Sequence, residues 1–300
     1  FAGVFLTLPE GVRRPQPLDW IGVATLIIAV VSLQMMLDRG ERLDWFNSTE
    51  IILELSVAVI AFYLFVVHSL THDSPYINVA IFRDRNFVVG LALIFMFGVA
   101  VFSSLFILPV FLQKIQDYPV LAAGWMTSVR GVGTMIAMMM GGFLADRLPA
   151  KYLILTGVIC VGAANVLMTT WTADVGGLEI AWLTMLSGFG MGVMWVTLTT
   201  VTFSTLAPEF RTEGAAMFAL IRAIGASLGT SIIVAVIVRS SQINYIELRD
   251  HITPFNNPLR DALPTWDLNT IAGLAALQKL IVTQAETIAY LNAFAFLVAV

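Results

Sequence analysis

Two arginines lie inside long apolar stretches of this 300-residue chain. Arg130 is about ten residues into Val120–Leu144, and Arg222 is about eight residues into Ala215–Val238. A charged side chain at the centre of a membrane helix costs roughly 2.5–3.5 kcal/mol on insertion scales, so it should face a cavity or a partner. Two interpretations therefore stay open. Either the arginines line a cavity that binds a ligand, or they hydrogen-bond to carbonyl groups where helices pack.

Polar, aromatic and methionine side chains share helix faces with these arginines. At helical spacing, Thr127 and Thr134 fall on the face of Arg130, and Met138 extends that face. A mixed polar and aromatic stripe also runs along Ile180–Leu206. Such faces predict the wall of a cavity for an amphipathic small molecule. The candidate cavity residues are Thr127, Arg130, Thr134, Met138, Met191, Trp195, Thr199 and Arg222.

The pattern of charge in these segments favours one class of ligand. Arginines without a deep carboxylate suit anionic or neutral lipophilic compounds better than quaternary ammonium dyes. Glu54 is the one acid within an apolar segment, and it stands three residues into that segment, near the outer surface. Glycines four residues apart, at positions 188 and 192 and at 225 and 229, predict close contacts between helices.

Side chains for catalysis or metal binding do not converge in this sequence. The histidines are His68, His72 and His251, and all lie in loops or at helix ends. We therefore expect no His/Asp/Glu cluster for a metal ion or for acid–base chemistry, and no cofactor. Glycine-rich runs lack the strand and the spacing of a nucleotide site, and no basic patch suits nucleic acid. An intramembrane enzyme, the competing class, would need convergent His, Asp, Ser or Cys groups.

The candidate residues are positioned by apolar segments long enough to cross a membrane. Hydrophobic residues make up 58% of the chain and charged residues 12%, against roughly 25% charged in soluble domains. About 20 apolar residues cross a hydrocarbon core of roughly 30 Å, and separate segments can do so only as helices. The sequence thus predicts an all-α polytopic membrane protein. Its seven complete segments and an incomplete eighth are Trp20–Leu37, Ile51–Leu70, Phe87–Leu112, Val120–Leu144, Tyr152–Trp171, Ile180–Leu206, Ala215–Val238 and Ile288–Val300.

Lysine and arginine are distributed unevenly between the loops. Seven of them fall in the alternate loops 9–19, 71–86, 145–151 and 207–214, whereas the short loops between these hold three. Positive residues collect on the cytoplasmic side of membrane proteins. We therefore predict that these four loops are cytoplasmic and that the loop around Asp174 is external.

The segments divide into a tail, a pair and a group of six. Residues 1–8 are expected to be the end of a preceding membrane helix, and 9–19 a cytoplasmic loop. Residues 20–70 form a two-helix pair, and 71–86 form a second cytoplasmic loop. Residues 87–300 form a six-helix bundle with a truncated last helix.

Apolar residues recur at helical spacing between Ile271 and Ile288 in the long outer connection 239–287. This pattern predicts an amphipathic helix lying at the outer membrane interface before the last segment begins. Two roles stay open for it. It either packs on the bundle or docks an outer partner, for which a periplasmic adaptor protein is the candidate.

The run GFLADRLPAK at 142–151 resembles the G-x-L-a-D-R-x-G-R-K loop of major facilitator superfamily transporters, although Pro149 replaces a glycine and Ala150 a basic residue. In such transporters a carboxylate can cap a helix of the opposite half, while basic residues hold an inner gate. A short charged turn that obeys the positive-inside rule is the alternative. The gate residues implied by the resemblance are Gly142, Asp146, Arg147 and Lys151.

Further stretches resemble the second half of the fourteen-helix drug:proton antiporters of the EmrB/QacA type. These stretches are DWF at 44–46, FRDRNF at 82–87, GFGMG at 188–192, LTT at 198–200, PEFRTEGAA at 208–216 and Arg222. The resemblance implies the C-terminal half of a major facilitator bundle preceded by two extra linker helices, in a bacterial inner (cytoplasmic) membrane. It implies secondary active multidrug export with proton antiport by alternating access. The partners would be protons, a lipophilic substrate, the bilayer and the missing N-terminal half. A non-transporting receptor or assembly subunit on the same scaffold is the alternative.

Overall fold

A computed structural model describes residues 19–72, 75–145, 147–172, 174–252 and 270–300. Within these ranges all regular structure is helical, with eight long α-helices and four short 3₁₀ helices. Seven of the long helices have the length and composition needed to cross a membrane. The prediction of an all-α polytopic membrane protein is thereby confirmed.

The first six long helices match the predicted apolar segments to within a few residues at each end. In chain order the eight helices are α1 Trp20–Arg39, α2 Thr49–Thr71, α3 Arg85–Lys114, α4 Val120–Ala145, α5 Ala150–Met168, α6 Gly177–Ser204, α7 Arg211–Asp250 and α8 Ile271–Ala299.

The last two helices differ from the predicted boundaries. Helix α7 is 40 residues long, about 60 Å, and continues 12 residues past the predicted end at Val238. Helix α8 is one continuous helix of 29 residues, long enough by itself to cross a membrane. The prediction of a separate interfacial helix over 271–288 is therefore wrong, because these residues continue without a break into the last apolar segment. The physical reason is that no glycine or proline interrupts the chain between 274 and 299.

Aspartates fix the beginnings of two helices by accepting hydrogen bonds from backbone N–H groups. Asp19 Oδ1 accepts from Gly22 N at 2.9 Å at the start of α1. Asp84 Oδ1 accepts from Asn86 N at 2.9 Å at the start of α3, while its Oδ2 accepts from the Thr205 hydroxyl at 2.6 Å just beyond α6. The Thr205 bond is the main reason why the pKa of Asp84 lies below its usual range.

Glycines allow the helix backbones of the bundle to approach closely. A methyl group at Gly192 in α6 would lie 2.7 Å from Ala137 Cβ in α4. A methyl group at Gly229 in α7 would lie 2.6 Å from the carbonyl oxygen of Val99 in α3. The other glycine of each predicted pair is equally close to a backbone carbonyl. The predicted role of these pairs in helix packing is confirmed.

An aromatic cluster joins α8 to the bundle at the end of α3. Phe111 contacts Trp171, Tyr290 and Phe294, with ring centroids 5.7 Å, 5.7 Å and 6.3 Å away. The Phe111 and Phe294 side chains are fully buried. The last third of α8 therefore packs into this aromatic cluster, and Leu277 and Ala285 earlier in the helix are buried as well.

The preceding pair, α1 and α2, contacts the bundle through α7. The Ser227 hydroxyl donates to Asp38 Oδ1 at 2.9 Å, and the Ser231 hydroxyl donates to the carbonyl of Leu37. Both acceptors stand near the end of α1. The end of α1 is thus held against the middle of α7.

The connection between the pair and the bundle is also held in place. Tyr76 N donates to Asp19 Oδ2 at 3.1 Å, and Asn78 N donates to Glu213 Oε2 at 2.8 Å. Ile81, in the 3₁₀ helix Val79–Arg83, is 1% exposed within the bundle core. The connection therefore packs on the bundle instead of running free of it.

Candidate functional site

A cavity of about 600 Å³ lies between α3, α4 and α6. Its wall is largely apolar and contains four methionines, Met135, Met138, Met139 and Met191. Flexible thioether side chains adapt to ligands of different shapes. Six of the eight residues that the sequence analysis selected line this cavity, namely Thr127, Arg130, Thr134, Met138, Met191 and Trp195.

Arg130 is the charged residue in the wall of this cavity. Its side chain comes from the middle of α4 and is only 5% exposed. Nη2 donates to the Ser104 hydroxyl at 3.2 Å, while Nε and Nη1 have no hydrogen-bond partner among the described residues. A buried guanidinium with unused donors strongly favours an anionic or carbonyl-bearing ligand, because unpaired buried donors are costly.

The position of Arg130 is fixed by the contact between α4 and α6. Gly188 lies against the backbone of Arg130, where a larger residue would overlap its carbonyl group. The Thr134 hydroxyl lies 3.0 Å from the carbonyl oxygens of both Arg130 and Gly188, so it bridges the two helices. Thr127, by contrast, donates to the carbonyl of Ala123 in its own helix.

Trp195 separates the large cavity from a second one. The second cavity has a volume of about 320 Å³, lies between α1, α3 and α7, and is lined by Arg222. The Arg222 guanidinium carbon lies 5.7 Å from the centroid of the Trp195 ring and 5.6 Å from that of Phe102. Both distances are typical of cation–π contacts.

Two of the eight selected residues therefore lie outside the large cavity. Arg222 belongs to the second cavity, which it lines together with Gln34 and Asp38 of α1, while its guanidinium lies over Phe102 of α3 and Trp195 of α6. Thr199 is one helical turn beyond Trp195, and its hydroxyl donates to the Trp195 carbonyl at 2.8 Å.

Sequence analysis missed Asp38. The criterion of an apolar run ends the first segment at Leu37, whereas α1 continues to Arg39 and brings Asp38 to the wall of the second cavity. The expectation that carboxylates are absent from the neighbourhood of the arginines is therefore wrong. One signal was available, since Gln34 and Asp38 are four residues apart and share a helix face.

Of the predicted gate residues, Gly142 lies in the last turns of α4, Lys151 lies in the first turn of α5, and Arg147 lies in the connection between these helices. The Arg147 guanidinium carbon lies 3.9 Å from the centroid of the Phe143 ring, and Lys151 Nζ lies 4.9 Å from that of Tyr152. Gly142 faces open space, with no atom near the position of a Cβ. Asp146 lies outside the described residues.

One group of potential metal ligands does form, which corrects the expectation of no such cluster. One ligand atom from each of Asp19, His68 and His72 lies within 4.8 Å of the others, because the end of α2 meets the start of α1. His68 Nε2 is 2.8 Å from Asp19 Oδ1, and the two imidazole rings stack at 4.8 Å.

The Asp19 carboxylate is already occupied by structural bonds. Burial tends to raise its pKa, but the hydrogen bonds from Gly22, His68 and Tyr76 outweigh burial and hold the pKa of Asp19 below its usual range. Asp19 thus stabilises the junction of α1, α2 and the following connection.

A polytopic helical bundle with a largely apolar cavity between its helices is an architecture that membrane solute transporters use. Residues 19–230 match the Major Facilitator Superfamily, and the chain belongs to that family. This confirms the predicted family and its EmrB-type branch.

Several curated proteins are similar to this chain. The multidrug export protein EmrB of Escherichia coli K12 is 32% identical over 242 residues, which are 80% of this chain and 47% of that protein. The fatty acid resistance protein FarB of Neisseria gonorrhoeae is 26% identical over 82% of this chain and 48% of its own length. The colistin resistance protein EmrB of Acinetobacter baumannii is 22% identical over 80% and 47%. The chain thus spans about half the length of these relatives, which fits the predicted half of a transporter.

Proposed function

We propose that this chain is the C-terminal half of a secondary active multidrug exporter of the bacterial inner membrane. The export of lipophilic small molecules would proceed by alternating access and would be driven by proton antiport. Membership of the transporter superfamily and the multidrug export names of its relatives support this proposal. The observation that carries it is the methionine-rich cavity with one buried, partly unpaired arginine.

The cavity favours a lipophilic weak acid as the substrate class. A volume of about 600 Å³ is in the range that holds a drug-sized ligand. Nε and Nη1 of Arg130 would bind the carboxylate or other anionic head, and the apolar body would pack on Met138, Met191 and Trp195. The relative named for fatty acid resistance agrees with this substrate class.

The loop at 142–151 would contribute the cytoplasmic gate. A carboxylate at Asp146 has the charge needed to cap a helix N-terminus of the other half. The basic side chains of Arg147 and Lys151 would stabilise the closed state of the same gate. These roles belong to the proposal and depend on the resemblance of the loop to the family motif.

The test uses the full-length protein in proteoliposomes with an imposed pH gradient. Transport of a dansyl-labelled medium-chain fatty acid and of a quaternary ammonium dye is compared for wild type, Arg130→Ala and Arg130→Lys. Loss of a charge-assisted hydrogen bond at a buried site weakens binding of the acid by about tenfold or more, so Arg130→Ala should raise its KM accordingly. Arg130→Lys should retain part of the affinity.

Arg239→Gln, which removes an exposed arginine from the far part of α7, serves as the matched control and should transport like wild type. Strong dye transport that neither Arg130 variant changes would contradict the assigned substrate class. Wild-type vesicles that move neither probe, with or without the gradient, would contradict the transport function itself and favour the receptor or assembly role.

A further inference from the structure

The second cavity has a more polar wall than the large cavity, and this wall carries opposite charges. It has a volume of about 320 Å³ and lies where α1 of the preceding pair meets α3 and α7. Asp38 is contributed by α1 and Arg222 by α7. The other polar residues in the wall are Gln34, Ser227 and Thr230.

Arg222 contacts aromatic rings in this structure instead of an acid. Its guanidinium lies over Phe102 and Trp195, and no ion pair within 4 Å joins it to a carboxylate of the described residues. A cation within a membrane segment is costly without a counter-charge. Asp38 is the acid that lines the same cavity.

Asp38 is held near Arg222 by α7 itself. Its Oδ1 accepts a hydrogen bond from the Ser227 hydroxyl at 2.9 Å. Ser227 follows Arg222 by five residues, which is about 7.5 Å along the helix axis. A long arginine side chain covers such a distance by changing rotamers, and a carboxylate has lone pairs left for a second donor. Arg222 thus shares one cavity with the Asp38 carboxylate while it contacts the aromatic rings.

Asp38 is itself exposed, and the other charged groups around the end of α1 are paired or exposed as well. Arg39 Nη1 forms ion pairs with Glu50 and Glu54 of α2, the latter at 3.1 Å. Helix α3 contributes the uncharged Phe102 to the cavity, and α7 contributes Arg222. The turn after α1 adds Glu41, which accepts from Trp45 Nε1 at 3.0 Å, and the exposed Arg42 and Asp44.

We propose that Asp38 is a proton-coupling carboxylate of this exporter and that Arg222 transmits its charge state to the substrate cavity. This inference rests on the proton antiport proposed above. When Asp38 binds one proton it becomes neutral, and Arg222 stays over Trp195 and Phe102. When Asp38 releases that proton, its negative charge draws Arg222 away from Trp195.

Trp195 makes the connection to the substrate. It lines the large cavity and also contacts Arg222 of the second cavity. Movement of Arg222 therefore changes the packing of a residue that contacts bound substrate. The coupling is reciprocal, so a bound substrate that displaces Trp195 would also change the position of Arg222 relative to Asp38.

The experiment separates coupling from transport. Full-length wild type, Asp38→Asn, Asp38→Glu and Arg222→Gln are reconstituted, with Glu247→Gln at an exposed site on α7 as the control. Two fluxes of the dansyl-labelled fatty acid are measured, namely gradient-driven transport and gradient-independent exchange. We expect Asp38→Asn to lose about tenfold in the driven flux while exchange stays near the wild-type value. Asp38→Glu should restore most of the gradient-driven flux. Arg222→Gln should make the substrate KM less dependent on pH.

The outcomes distinguish this inference from the function on which it rests. Normal gradient-driven transport by Asp38→Asn would overturn the inference and leave proton antiport intact. An equal loss of both fluxes in Asp38→Asn without rescue by Asp38→Glu would show a merely structural role and would also overturn it. A wild-type protein that exchanges substrate but shows no gradient-driven flux would refute proton antiport, and the role of Asp38 with it.

Discussion

The contact between Gly188 and Arg130 gives a sharp prediction for the substitution Gly188→Ala. The added methyl group would lie 2.9 Å from both the carbonyl carbon and Cγ of Arg130, and closer still to the carbonyl oxygen. Because the nearest obstacle is backbone, relief requires α4 and α6 to separate. Overpacking of this kind costs about 1–3 kcal/mol. Alanine has a helix propensity about 1 kcal/mol more favourable than that of glycine, which offsets part of this cost. With an overpacking cost of about 3 kcal/mol, the net destabilisation is about 2 kcal/mol.

Thermal unfolding of the purified full-length protein in detergent measures this effect. A loss of about 2 kcal/mol corresponds to a Tm lower by about 4–8 °C in a domain of this size. Gly162→Ala is the matched control, because no atom lies within 4 Å of its added methyl group. That variant keeps the gain in helix propensity and should match or slightly exceed the wild-type Tm. Equal Tm values for the two variants would refute the close contact between α4 and α6.

Three further predictions concern charge and topology. Asp84→Asn should lower the Tm at pH 7, because Asp84 has a lowered pKa and its ionised form stabilises the fold above its ordinary value of 3.8. This difference should vanish as the pH falls through the folded-state pKa, and a constant difference would contradict it. Asp146→Asn should impair transport at unchanged abundance through loss of about 0.3–1 kcal/mol of helix capping; wild-type efflux at equal expression would exclude that role. A cysteine at Val175 should react with an impermeant reagent in intact cells, whereas reaction only after permeabilisation would reverse the topology.

The apolar runs of the sequence predict most of the fold for a physical reason. Within lipid every backbone group must be bonded internally, so the length of an apolar run nearly equals the length of a helix for α1 to α6. The argument fails where a helix leaves the membrane. Hydropathy marks the bilayer and not the end of the helix, so the extension of α7 to Asp250 and the continuity of α8 were not predictable from it.

The candidate site was predicted in part for similar reasons. Spacing along α4 places Thr127, Arg130 and Thr134 on one helix face, and in the structure all three line the large cavity. Spacing along one helix cannot tell which neighbour that helix faces. The cavity that Arg222 lines is completed by Asp38 of α1, and the meeting of Asp19 with His68 likewise joins residues far apart in the chain.

The fastening of the helix pair to the bundle determines how the two halves of a transporter can move. The end of α1 is bonded to Ser227 and Ser231, and the connection at 75–84 is bonded through Tyr76 and Asn78. In an alternating-access cycle the pair would thus travel with this half as one rigid body. In the proposed cycle the hinge between the two halves would therefore lie outside the connection 75–84, and the helix pair would enlarge the half that moves.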